Sequence, residues 1–158
     1  MGKIKKCIGR MTYLCIVGCL IFILSMRILE CAGIQSYIVR SGSMEPAIMT
    51  GSVCFVDTRV QYEDIRENDV IAFEHGKIRV THRVTQITED GFITKGDNND
   101  QSDGLTTNKG NYIGKSIFVI PWLGYVLSSI QTLSAKIIII TLTVSGLLIQ
   151  RIYDIAKK

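Results

Sequence analysis

Residues 11–25 (MTYLCIVGCLIFILS) run for fifteen positions without a charge. Arg27 then interrupts, and Ile28 and Leu29 extend the apolar stretch. Nineteen helical residues span about 28 Å, the thickness of a bilayer's hydrocarbon core. Arg27 falls near the far interface, where a long cationic side chain can snorkel to water. Lys3, Lys5, Lys6 and Arg10 precede the run. Positive charge stays on the cytoplasmic side, so the N-terminus is expected inside and the following chain across the membrane. The competing pattern is a cleaved targeting segment, with Cys31, Ala32 and Gly33 as a loose small-residue site. The length of the apolar run, and Glu30 just before that site, favour a retained anchor.

A second apolar stretch lies near the other end. Residues 137–149 (IIIITLTVSGLLI) are uncharged. Adding 133–136, with Lys136 snorkelling, brings the stretch to the lower limit for a span, about 17 residues. Arg151, Lys157 and Lys158 follow and place this end inside as well. The alternative is a buried or interfacial helix, but a small chain has little else to cover four consecutive isoleucines. The net charge of +4 thus arises from two basic ends on a slightly acidic middle. That distribution argues against a nucleic-acid partner, which needs its basic residues on the folded face. At 47% hydrophobic residues the chain is too apolar to be disordered.

The expected layout is a basic cytoplasmic tail (1–10), a transmembrane helix (11–29), an extracytoplasmic domain (34–125), a second transmembrane helix (133–149) and a basic tail (150–158). The middle reads as mainly β, in antiparallel strands. Residues 52–56 and 70–73 are short apolar strands. Residues 78–84 alternate strictly, with Ile78, Val80, His82 and Val84 on one face and Arg79, Thr81 and Arg83 on the other. Glu89-Asp90-Gly91 is a hairpin turn joining 84–88 to 92–95. A polar loop fills 96–110, and 112–120 reads as a last strand before Pro121. Of five cysteines only Cys54 lies well inside the domain, so no disulfide framework or zinc spacing can be built. Cys15 and Cys19, four apart, share a face of the first helix and read as small apolar packers.

Three places carry candidate chemistry. In 40–46 (RSGSMEP), Ser41 and Ser43 flank a glycine, and Pro46 stiffens the exit. Such a turn can hold a nucleophilic hydroxyl beside N–H donors, though a plain loop leaving a membrane helix has the same composition. His82 points to the apolar face, as either a general base or a hydrogen-bonded core histidine. His75, in a turn, is a weaker base candidate. The stretch 95–103 (KGDNNDQSD) is acidic but lacks the spacing and terminal glutamate of a calcium loop. It is either a solvated turn or the source of an acid, Asp97 or Asp103, that orients His82.

In order, these segments resemble the type I signal peptidases, in the subgroup of the endoplasmic reticulum, archaea and some Gram-positive bacteria. Residues 41–46 (SGSMEP) look like the nucleophile box, 81–84 (THRV) like the box of the general base, 95–99 (KGDNN) like the acidic box, and 120–126 (IPWLGYV) like the segment ending the catalytic domain. The resemblance covers nearly the whole chain. Where bacterial-type members carry a lysine base, this sequence has His82. The resemblance implies a small antiparallel β catalytic domain on membrane anchors. Ser43 is then the nucleophile, His82 the base, and Ser41 with the Ser43 N–H the oxyanion hole. Asp103 ranks before Asp97 as the acid on the histidine, with Asp97 shaping the loop. It further implies a membrane-bound endopeptidase, without cofactor or metal, that removes signal peptides from secretory preproteins after small residues at −3 and −1. The preproteins are delivered by the translocation machinery to an enzyme held in membrane lipid, with no nucleic acid involved. Two other readings stay open: a non-catalytic membrane-anchored accessory protein, and a Ser-Lys dyad using Lys77 or Lys95.

Overall fold

The computed structural model describes residues 2–132 together with 137, 141, 143, 145, 146, 151 and 155. The helix α1, Gly2–Cys31, runs unbroken through the basic tail and the apolar stretch. Its segment Tyr13–Cys31 is long and apolar enough to cross a membrane, and none of it is buried against the rest of the chain. Leu14, Leu20, Ile21 and Leu24 are more than half exposed, a cost in water that a lipid environment removes. Gly33 ends the helix in the left-handed region (φ 79°), and Thr58 binds its carbonyl through both N–H (2.9 Å) and hydroxyl (2.8 Å). The expected second span (133–149) and the tail (150–158) lie largely outside the described residues.

Six strands follow: β1 (Ile34–Ile38), β2 (Val53–Asp57), β3 (Val70–His75), β4 (Ile78–Thr88), β5 (Gly91–Lys95) and β6 (Tyr112–Ile120). They form one antiparallel sheet in the order β1-β2-β6-β3-β4-β5. The mainly β, antiparallel character expected of 34–125 is what the structure has. Three elements are absent from the sequence reading, the short 3-10 turn Tyr62–Asp64 among them. β1 mixes polar and apolar residues too evenly to stand out, and the helix α2, Leu123–Gln131, straddles the boundary placed at 125.

Two apolar clusters hold the sheet. One joins Ile65, Ile71, Phe73, Val84 and Phe92, with Tyr62 stacked on Phe92 at 4.1 Å. The other joins Cys54, Val56 and Ala72, flanked by Tyr37, Val39, Ile113 and Val119. Ile71 and Val84 are fully buried, each contributing about 1.5–3 kcal/mol of transfer free energy. The alternation in β4 carries Val80, His82 and Val84 progressively into the first cluster, while Ile78, on the same face at the hairpin end, is 61% exposed. A bulge between Val84 and Gln86 then breaks the register against β5. The alternation ends there, and residues 85–87 all face solvent.

Candidate active site

β1 leads straight into the loop 39–52, which returns to β2. Paired backbone bonds close its base, from Val39 N–H to Ser52 C=O and from Gly51 N–H to Val39 C=O, each 2.9 Å. Met44 and Ile48 peg the loop into the domain, at 2% and 5% exposure. The Glu45 carboxylate accepts from the Thr50 hydroxyl (2.7 Å) and N–H (3.0 Å). Those two bonds, the hydroxyl first, hold the Glu45 carboxyl below its usual range. Behind the loop, Gly51 (φ 80°) lies so close to the Tyr125 ring that a β-carbon there would stand 2.0 Å from it. The start of α2 therefore backs the loop, with Gly124 N–H donating to Gly51 C=O at 2.8 Å.

The loop presents Ser43 to His82. Ser43 Oγ lies 3.0 Å from His82 Nε2, and His82 Nδ1 lies 2.7 Å from Asp103 Oδ2. Ile71, across the ladder, and Phe73, edge-on at 6.3 Å between ring centroids, pack around the imidazole, which is 7% exposed. With Nδ1–H donated to the carboxylate, Nε2 is free to accept the Ser43 proton, as a nucleophile–base–orienter line requires. Ser41 Oγ stands 3.4 Å from Ser43 Oγ, on the exposed side.

Asp103 arrives by an irregular return along the outer edge of β5. Phe92 and Thr107 exchange two backbone bonds of 2.8 Å, and Asp103 N–H donates to Thr94 C=O at 2.7 Å. The buried Thr94 hydroxyl donates to Asp103 Oδ2 at 2.6 Å. Sequence reasoning missed Thr94. Its position two residues after Phe92, on the inward face of β5, was the available signal.

Asp97 goes elsewhere. Its carboxylate makes a two-point pair with Arg83, to Nε at 2.8 Å and NH2 at 2.7 Å, and Arg83 also donates to Asn68 C=O at 2.9 Å. This pairing makes the Arg83 guanidinium still harder to deprotonate. The Gly96 turn nevertheless touches the site, because Asn98 N–H donates to Ser43 C=O at 2.8 Å. Lys95 pairs in register with Arg83, one position away from His82 on β4. Lys77 and His75 are exposed at the β3–β4 hairpin. Among the described residues, no group of three or more His, Cys, Asp or Glu side chains could hold a metal ion.

No family model matches the chain. It does match individual proteins. Signal peptidase I W of Bacillus subtilis (strain 168) is 40% identical over 78 residues, covering 46% of this chain and 41% of that protein. The human signal peptidase complex catalytic subunit SEC11C is 35% identical over 103 residues, covering 56% of this chain and 53% of its own length. The SEC11 subunit of Saccharomyces cerevisiae (strain YJM789) is 33% identical over 102 residues, covering 56% of this chain and 61% of its own. The chain is a relative of the type I signal peptidases. It spans about half the length of the relatives it matches, and the aligned share of this chain is narrower than the near-complete span that the four sequence boxes suggest. Its relatives include both the bacterial signal peptidase I W and the eukaryotic SEC11 catalytic subunits.

Proposed function

We propose that this chain is a membrane-anchored serine endopeptidase that removes signal peptides from secretory preproteins, cutting after small residues at −3 and −1. The observation that carries this reading is the line from Ser43 Oγ through His82 to Asp103, with contacts of 3.0 and 2.7 Å. Ser43 Oγ attacks the scissile carbonyl carbon as its proton passes to His82 Nε2. The imidazolium so formed is held by the Asp103 carboxylate. The Ser43 N–H and the Ser41 hydroxyl receive the oxyanion. His82 then gives its proton to the leaving amine, freeing the mature protein and leaving the signal peptide as an ester on Ser43. A water, deprotonated by His82, hydrolyses that ester and restores the serine.

The anchor supports the substrate assignment. A signal peptide's cleavage site emerges at the membrane, and tethering enzyme and substrate to one surface raises their effective concentration without further contacts. β1, an edge strand running into the Ser43 loop, is suited to pairing with an extended substrate. Positive charge at both ends supports a multi-pass topology with both termini cytoplasmic. The Ser-Lys alternative has less support, since the described partners of Ser43 Oγ are His82 and Ser41. The accessory-protein alternative leaves the aligned triad without a purpose.

Co-expression of a secretory preprotein with the wild type, Ser43→Ala or His82→Ala tests the proposal. Processing by the wild type and its loss in both variants is the expected result. Normal processing by either variant overturns it.

A further inference from the structure

We propose that Thr94 is a positioning residue for this site, its hydroxyl fixing the Asp103 carboxylate against His82. The inference rests on the peptidase reading above and extends it by one member. Thr94 is fully buried on the inward face of β5, opposite Val84 in the ladder. A valine would fill that apolar position with the same shape. The threonine instead spends its hydroxyl on Asp103 Oδ2 at 2.6 Å, the same oxygen that faces His82 Nδ1 at 2.7 Å. Its carbonyl also takes the Asp103 N–H at 2.7 Å, so one residue grips both the main chain and the side chain of the acid.

That grip answers a specific weakness. Asp103 follows the irregular stretch 96–102, and its side chain keeps 18% of its surface exposed. No strand of its own holds it, and a carboxylate turns readily about its last bond. Thr94 sits in regular sheet, and its β-branched side chain is stiff about χ1. Two donors converging on one oxygen set the carboxylate's orientation. The carboxylate in turn holds the tautomer that leaves Nε2 free for Ser43.

The fold contains its own control. Thr107, also fully buried and bridged to β5 at Phe92, has a hydroxyl with no partner among the described residues. Removing that hydroxyl tests packing without touching the acid. The test uses the full chain in detergent and a secretory preprotein, comparing wild type, Ser43→Ala, Thr94→Val, Thr94→Ser and Thr107→Val. Thr94→Val is expected to lose at least tenfold in kcat with KM within twofold, and to lose the downfield proton resonance of the His82–Asp103 hydrogen bond. Thr94→Ser should recover kcat to within threefold of wild type, and Thr107→Val should match wild type. A Thr94→Val enzyme with wild-type kcat and an intact resonance, beside an inactive Ser43→Ala, overturns the role of Thr94 alone. An active Ser43→Ala overturns the peptidase reading instead, and the resonance still reports on Thr94. Equal losses in Thr94→Val and Thr107→Val would assign the effect to packing and overturn the proposal.

Discussion

The carbonyl oxygen of Ser43 lies 2.5 Å from the point where a β-carbon on Gly96 would stand. No real side chain tolerates that contact, so the acidic loop can approach the Ser43 backbone only through glycine. The approach brings Asn98 N–H to the Ser43 carbonyl. Gly96→Ala must push one backbone segment off the other. Displacing a reacting group by about 1 Å can cost about 100-fold in rate, and a loss of kcat near that size is expected. Gly104, whose β-carbon would meet open space, is the control. Cleavage rates for Gly96→Ala and Gly104→Ala should differ by more than tenfold, and equal rates would refute the crowding argument.

The two acids of the loop should separate cleanly by mutation. Asp103→Asn keeps the shape but removes the charge that holds the histidine tautomer, and kcat should fall by about 10²–10⁴. Asp97→Asn breaks the Arg83 pair, which is partly exposed, at about 1 kcal/mol of stability. Its kcat should stay within about tenfold of wild type, in line with a role in loop shape rather than at the reacting atoms. Single-turnover cleavage and chemical unfolding measure the two effects. A dead Asp97→Asn beside an active Asp103→Asn would reverse the assignment.

Acid stability should carry a signature of the helix–sheet junction. Arg59 donates its side-chain Nε and NH2, and its own N–H, to Asp57 at 2.8–2.9 Å, beside the end of α1 at Gly33. The Arg59 side-chain bonds first, and its N–H second, pull the Asp57 carboxyl down to about 2 from an ordinary 3.8. The folded value lies below the unfolded one, so the stabilisation is complete above pH 4 and disappears as pH falls through about 2. Arg59 is 62% exposed at its side chain, so solvent screening keeps the effect small. Unfolding of the wild type and Asp57→Asn at pH 7, 4 and 2 should show a gap that closes between the last two. A gap persisting at pH 2 would refute the linkage.

Topology can be read from intact cells. A protease-cleavable tag inserted at Asn108, in the β domain, should be cut from outside, and one after Lys158 should be protected. N-terminal sequencing should begin at or near Met1. A protected Asn108 tag would invert the orientation, and a start at Ala32 or Gly33 would show that the anchor is removed.

The long apolar N-terminal helix, five of the six strands, the hairpin turns, and Ser43 and His82 as candidates are all legible in the amino-acid sequence. They are local properties. An uncharged run, a two-residue alternation and a glycine or proline at a turn each declare themselves within a few residues. β1 escaped because Gln35, Ser36 and Tyr37 blur its alternation. α2 escaped because its nine residues follow Pro121 and Trp122 within a motif that reads as a terminus.

The contact between Ser43 and His82, 39 residues apart, was decided only in three dimensions, as were the different partners of Asp97 and Asp103. The loop 96–110 has no periodicity from which to read a direction. Asp103 reaches His82 because 103–107 pairs along the outer edge of β5, and Asp97 meets Arg83 because that side chain lies on the face of β4 away from the histidine. Both depend on the register of β4 against β5, which a bulge after Val84 resets. Thr94 was hidden for the same reason. A threonine on the inward face of a strand looks like packing until the chain returns to place a carboxylate 2.6 Å from its hydroxyl. Local sequence determines which groups face inward, and the long-range strand register decides which of them meet.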